Sequence, residues 1–395
     1  MSPIDNPYSP GAGAPPPELA GRDDVREQVH VAIMRVARGN SAQNILLVGL
    51  RGVGKTVLLD RMRTDAEAGG IHTIRVESPE RKSLPALLAP QLRVALLRLS
   101  KVKRASAFAA RGLKALAGFT KALKIKYHDI EVGIDLPPEA GLADSGDLEQ
   151  DLQVLLESAG AAARAANTAL ILFIDEMQYV AADELAALIS SLHRVAQQSL
   201  PVLLIGAGLP QLRAKMGHAK SYSERLFAYP QIDALPPPAA AAALTIPAAR
   251  ASVEYEAAAI ERIVQQTRGY PYFLQEWGAH AWDVASASPI TAADVGRASD
   301  IAIAKLDESF FRVRFDRLTP AERRYMRAMA ELGPGPHRSG DIAECLNRDV
   351  TSLGPVRSSL ISKGMVWSPA HGDTAFTVPL FDEFMRRTMP SVDWR

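Results

Sequence analysis

Cysteine is nearly absent. Cys345 is the only one in 395 residues, which excludes an internal disulfide framework and a metal site built from cysteines. No apolar run reaches the length of a membrane span. The N-terminal stretch MSPIDNPYSPGAGAPPPELAG lacks the basic start and apolar core of a secretory signal, so a cytoplasmic protein is expected and a membrane partner is not. Net charge is also close to nil. The formal balance is +1, which does not advertise a polyanionic partner. Acidic residues are missing from one long segment, Arg81 to His128. The rest is ordinary for a soluble globular protein, with 47% hydrophobic and 23% charged residues. A chain of 395 residues exceeds one ordinary core, so two or three domains are expected.

The stretch Asn44 to Asp60 organises what is there. Ile45 to Val48 is an apolar run that suits a strand buried on both faces. It breaks into Gly49-Leu50-Arg51-Gly52-Val53-Gly54-Lys55-Thr56, and a helical start follows at Val57. This is the phosphate-loop pattern G-x-x-x-x-G-K-[ST] in its context of strand, loop and helix. Glycines let backbone N–H groups turn inward around a phosphate, and the helix start adds its positive dipole end. Lys55 can reach the outer phosphates, and Thr56 can place a hydroxyl on a magnesium ion. A second apolar run, Ala169 to Ile174, ends in Asp175-Glu176. An acid at the C-terminal end of a buried strand, one strand away from the phosphate loop, can hold the metal, and the next acid can orient a water. Asp-Glu alone is a weak signal; after a complete phosphate loop it points to a nucleotide hydrolase.

The flanking segments divide the chain. Residues 1–20, rich in Pro, Gly and Ala, read as a disordered tail. A helix is expected from Asp24 to Arg38, and residues 21–235 read as an α/β core: a parallel sheet flanked by helices. Within it, residues 98–128 form a basic helical insertion. Its cations include Arg98, Lys101, Lys103, Arg104, Arg111, Lys114, Lys121, Lys124 and Lys126, with Phe108, Leu113, Leu116, Phe119 and Leu123 between them. That pattern suits either a face for a nucleic-acid backbone or anionic lipid, or a helical hairpin packed on the core with a solvated basic side. A third buried strand, Pro201 to Ile205, ends in Gly206-Ala207-Gly208. Residues 236–300 read as an all-α lid and 301–317 as a connecting helix, Ile301 to Phe315. Residues 318–390 read as three helices and a hairpin, the layout of a winged helix-turn-helix. Thr319 and Ser339 are the expected caps of the first two of those helices.

In this order the elements resemble the origin-recognition-like, archaeal-type AAA+ ATPases and their STAND relatives, from about Gly21 to Arg387. The resemblance implies a P-loop NTPase core with ATP and Mg2+ as ligands. Gly49 to Val57 would cradle the nucleotide, with Thr56 and Asp175 at the metal and Glu176 and Lys55 in the chemistry. Arg22, in Gly21-Arg22-Asp23, resembles the box beside the adenine, and Pro271, in Gly269-Tyr270-Pro271, resembles the lid signature near the nucleotide. Arg225 stands where such ATPases carry an arginine finger acting on a neighbour's nucleotide, which implies a nucleotide-dependent homo-oligomer; a surface ion pair is the equal alternative. Two features depart from the family. Gly206-Ala207-Gly208 offers no polar sensor, and Arg268 is the nearest candidate for the lid arginine. Gln178 and His193 are substitutes for the sensor or else ordinary packing residues.

Two functions are open to such a chain, beside a third, weaker reading that sets the basic insertion at a membrane surface. One is a slow ATPase that switches on DNA, with residues 350–363 in the major groove and the hairpin 365–378 on the backbone. There Thr351, Ser352, Arg357, Ser358 and Lys363 would face the duplex. The other is a signalling or scaffold ATPase whose winged helix binds protein. The last segment mixes Arg323, Arg324, Arg348 and Arg357 with Glu322, Glu331, Asp341, Glu344 and Asp349, so its basic stripe is faint.

Overall fold

The computed structural model describes residues 1–11, 13–79, 82–123, 137–390 and 394. Arg81, Lys124, Lys126 and His128 of the basic segment lie outside them. The chain forms two compact units: residues 22–48 with 55–231, and residues 1–21, 49–54 and 232–395. No described helix is long and apolar enough to cross a membrane.

The first unit is an α/β layer. Its elements are α1 (Asp23–Ala37), β1 (Asn44–Val48), α2 (Lys55–Ala68), β2 (His72–Glu77), α3 (Leu84–Ser100), α4 (Ser106–Leu123), α5 (Leu148–Ala165), β3 (Leu170–Asp175), α6 (Ala182–Gln197), β4 (Val202–Gly208), α7 (Leu212–Ala219), α8 (Ser223–Leu226) and β5 (Phe227–Ala228). The sheet is parallel in the order β2-β3-β4-β1-β5. Every residue of β1, β3 and β4 is buried, which is why these strands read as unbroken apolar runs rather than alternating ones. β4 lies between β1 and β3. The basic hairpin packs inward: Leu113, Leu116, Phe119 and Leu123 join the core of the strands. Phe108 and the side chains of Arg98, Lys101, Lys103, Arg104 and Arg111 remain outside.

The second unit is mostly helical. It holds α9 (Pro237–Arg250), α10 (Ala257–Thr267), α11 (Pro271–Val284), α12 (Ala292–Leu306) and α13 (Arg312–Asp316). The expected boundary between the lid, residues 236–300, and the connecting helix, residues 301–317, falls inside one helix. α12 runs to Leu306 and on through a π turn, Asp307–Phe311, into α13. The π turn resets the helical phase so that two consecutive aromatics are used. Phe310 stacks on Tyr272 at 4.8 Å, and Phe311 stacks on Phe384 at 5.2 Å.

The expected disordered tail is instead packed on these helices. Tyr8 is buried, and its hydroxyl donates to Leu244 O at 2.6 Å. Asn6 Nδ2 donates to Ala279 O at 3.0 Å, and Trp282 Nε1 donates to Ser2 O at 2.9 Å. Composition predicted too little to bury, but one tyrosine and a few directed hydrogen bonds suffice to anchor the strap.

The C-terminal part follows with α14 (Pro320–Leu332), β6 (His337–Arg338), α15 (Ser339–Cys345), α16 (Val350–Ser362), β7 (Val366–Trp367), β8 (Asp373–Phe376) and α17 (Phe381–Thr388). Its strands form an antiparallel sheet in the order β6-β8-β7. Thr319 caps α14 in a full capping box with Glu322. Ser339 is not the cap of α15: Arg338 holds that position, and Ser339 Oγ donates to Gly372 O at 2.8 Å instead.

Candidate functional site

Within the α/β unit the acid-bearing strand and the lysine-bearing helix converge. Lys55 is the first residue of α2 and is only 9% exposed. Thr56 follows it and hydrogen-bonds the carboxylate of Asp175, which ends β3 and is 2% exposed. Burial raises the Asp175 carboxyl above its ordinary range. The Thr56 hydroxyl, the Glu176 amide and the Arg75 guanidinium oppose that shift, while the charge of Glu176 adds to it. A hydroxyl and a nearly buried carboxylate side by side are hard oxygen donors of the kind magnesium takes, so the residues present fit that ion. Val57 is partly buried one turn into the helix.

Sequence reasoning passed over Arg75. It stands on β2, next to β3, and its guanidinium joins three elements. Nε donates to Asp60 Oδ1 of α2 at 2.8 Å, Nη1 to Val76 O at 2.7 Å, and Nη2 reaches Asp175 Oδ2 at 3.4 Å. No local pattern marks an arginine in a strand as the neighbour of an acid a hundred residues away; only strand pairing does.

Glu176 has left-handed backbone, with φ of +53°, and its N–H donates to Asp175 Oδ1 at 2.8 Å. A non-glycine residue in that region at the end of a buried strand is strained. Gln178 is 8% exposed, and its Nε2 donates to Glu176 Oε2. Its Oε1 accepts from Leu209 N at 3.1 Å, just past the tip of β4. His193 does not share this role; its ring packs on Tyr222 at 4.8 Å.

The phosphate loop, Gly49 to Gly54, groups with the other unit. Gly52 and Gly54 have φ of +80° and +88°, values that favour glycine. Arg51 N donates to Thr377 O at 3.0 Å, and Tyr272 N donates to Gly52 O at 3.2 Å. Pro271 opens α11 just before that tyrosine. Leu50 lines a cavity of about 260 Å³ with Arg268, Tyr270, Trp367 and Phe376 among others. Val53 is buried. Arg268, the candidate lid arginine, is paired with Glu383 at 2.7 Å.

The remaining candidates stand elsewhere. Arg22 is buried at the N-cap of α1. Arg225 is exposed on α8, immediately before β5. Phe227 of β5 pairs with Asn44, the first residue of β1, so Arg225 lies at the edge of the sheet opposite the Asp175 end. On α16, Arg357 turns inward toward the C-terminal sheet. Its Nε donates to Thr374 Oγ1 at 2.8 Å, and its Nη2 donates to Ser368 Oγ at 2.8 Å and Asp373 O at 2.7 Å. Lys363 pairs with Glu322 at 2.7 Å. Both cations expected to face a duplex are therefore engaged within the fold, and the exposed Thr351, Ser352 and Ser358 are neutral.

A parallel sheet with a phosphate loop after β1 and Asp-Glu at the end of β3 defines the class: a P-loop nucleoside triphosphatase. Residues 18–205, just under half of the chain, match the AAA ATPase domain family, which supports ATP hydrolysis as the activity of this P-loop fold. Residues 308–385 match a domain of unknown function, DUF8462. No curated protein matches the chain. Among solved structures, the Walker-type ATPase PABY2304 of Pyrococcus abyssi aligns over 93% of this chain and 96% of its own, at 16% identity and a TM-score of 0.57. It shares the fold. The Aeropyrum pernix ORC1 protein in complex with DNA covers 97% of this chain and 96% of its own, at 15% identity and a TM-score of 0.48. The Thermotoga maritima RuvB Holliday junction branch migration motor covers 92% and 96%, at 16% identity and 0.45. At those two TM-scores neither alignment bears on function.

Proposed function

We propose that this chain is a slow ATPase that works as a nucleotide-dependent switch, with its C-terminal segment as the output. Gly49 to Val57 grip the triphosphate, and Lys55 meets the outer phosphates as a point charge. Thr56 and Asp175 would hold Mg2+, which when bound would neutralise charge growing on the phosphate oxygens. Glu176 orients the water that attacks the γ-phosphate in line. Arg22 and Pro271 flank the nucleotide, as the resemblance implies, and ATP is the base preference by the same likeness. Arg225 serves only a neighbouring copy's site, in a nucleotide-dependent homo-oligomer. A cytoplasmic location suits this reading.

One contact carries the switch reading. The Arg51 amide, in the loop whose N–H groups would cradle phosphate, is spent on Thr377 O of the C-terminal segment. A nucleotide that claims that amide competes with the C-terminal contact, so ligand and output are coupled by differential affinity for two states. Turnover is slow in this reading because Arg268, the nearest candidate for the lid arginine, is paired with Glu383.

The output segment, α14 to β8, reads as a winged helix. Its first proposed target is DNA, through residues 350–363 and the hairpin 365–378. The inward engagement of Arg357 and Lys363 favours the second target, a protein partner, because α16 then presents little positive charge to phosphates. The test has two parts. Lys55→Ala should lose Mg·ATP binding by calorimetry while Glu176→Gln keeps it, and unchanged affinity in Lys55→Ala removes the site. Duplex binding by Glu176→Gln is then titrated against salt with ATP present. A steep slope assigns DNA; a nucleotide-dependent protein complex without DNA binding assigns the second target.

A further inference from the structure

The tip of β4 is where a family ATPase places its sensor side chain, and here it is glycine. The reason lies in the turn after β3. Met177–Tyr179 form a single 3₁₀ turn that folds over β4. A Cβ on Gly206 would overlap Met177 Sδ and stand 2.5 Å from Leu46 Cδ2. A Cβ on Gly208 would stand 2.7 Å from Leu212 Cδ2 and 3.0 Å from Gln178 Oε1. Gly206 therefore makes room for the turn and Gly208 for Leu212 of α7 and the Gln178 carboxamide, which is the polar group found at the strand's end.

That carboxamide has one orientation. Glu176 offers only acceptors and Leu209 N only a donor, so Nε2 must face the carboxylate and Oε1 the amide. The turn is held from behind as well: Lys215 Nζ of α7 donates to Gln178 O at 2.8 Å and also to Val180 O. Gln178 is thus nearly buried, fixed at both ends, and joins the acid after β3 to the tip of β4.

We infer that Gln178 is a positioning residue that supplies, from the β3 turn, the sensor function missing from β4, by holding the Glu176 carboxylate in the orientation from which it acts on water. This rests on the proposed role of Glu176 in orienting the attacking water. No covalent step involves Gln178; it fixes a rotamer.

Two substitutions separate function from packing. Gln178→Leu removes both hydrogen bonds. Gln178→Glu keeps the acceptor for Leu209 N and removes the donor to Glu176. Both are read on affinity for a fluorescent ATP analogue with magnesium, on single-turnover hydrolysis and on the thermal midpoint. Affinity should stay within about threefold while hydrolysis falls by about tenfold or more, a split that lost packing alone does not produce. In a Glu176→Gln background, already slow, Gln178→Leu should cost less than about twofold, because the two residues act as one unit. A Gln178→Glu rate within about twofold of the parent overturns the inference, as does a full penalty in the Glu176→Gln background. Glu176→Gln itself keeps the two readings apart. If it hydrolyses ATP at the parent rate, Glu176 leaves the mechanism and the inference goes with it. If it is slow while Gln178→Glu is unimpaired, only the inference is lost.

Discussion

Gly206 shows how a single missing side chain is dictated from outside its own strand. Its neighbours on β4, Ile205 and Ala207, are buried, and Met177 and Leu46 occupy the space where its Cβ would lie. Gly206→Ala should therefore destabilise the α/β unit by about 1–3 kcal/mol through overpacking, read as a lower urea midpoint at unchanged slope. An unchanged midpoint would mean that the 177–179 turn yields without cost. The sequence made the absence legible: Gly206-Ala207-Gly208 visibly lacks a sensor. It left Gln178 undecided between substitute and packing residue, because the choice depends on how the 3₁₀ turn lies against β4, and sequence spacing does not encode that. Arg75 was invisible for the same reason. Lys55, Thr56, Asp175 and Glu176 were legible because phosphate and metal chemistry demand those residue types at short local spacing.

At the scale of elements, what was read well is what a helix or strand decides for itself. The buried runs of β1, β3 and β4 and the cap at Thr319 needed only a few neighbouring residues. What was read less well needs a partner: Ser339 gives up its cap role to bond Gly372 O, and two-residue β6 exists only because β8 lies beside it. Glu322 joins both kinds. Burial raises its carboxyl, but Lys363, the Thr319 N–H and the Ser359 hydroxyl outweigh that and bring it down to about 2 from 4.5. A carboxyl lower in the folded state favours folding in its ionised form. That contribution is complete above the ordinary value and is lost as pH falls through 4.5 toward 2. It amounts to at most about 3 kcal/mol. Glu322→Gln should lower the unfolding midpoint of the C-terminal segment at pH 7 and narrow its gap from wild type near pH 3, measured by urea titration at both. A gap that does not shrink would show that Glu322 acts by shape rather than by charge.

For the whole molecule, the division of the chain is itself informative. The phosphate loop is contiguous in sequence with β1 and α2, yet it groups with the lid helices, the N-terminal strap and the C-terminal segment. Sequence order assigned it to the core, and it placed the strap in solvent; both follow from reading a chain as a line. The contacts that tie the loop to its unit are weak singly. A neutral backbone hydrogen bond such as Arg51 N to Thr377 O or Tyr272 N to Gly52 O is worth about 1 kcal/mol. Together they are small beside the binding energy of a triphosphate, about 8 kcal/mol at a micromolar dissociation constant. A ligand that claims the Arg51 amide can therefore displace the C-terminal segment without exhausting its own affinity. Losing about 1–2 kcal/mol of local stability raises the population of open states by about 5–30-fold. Hydrogen exchange should then show residues 365–378 exchanging faster by about that factor when Mg·ATP is added, with no change in Lys55→Ala. Equal protection with and without nucleotide in the wild-type chain would leave ATP binding intact and sever it from the C-terminal segment, because the loop would then hold phosphate with Thr377 still in place.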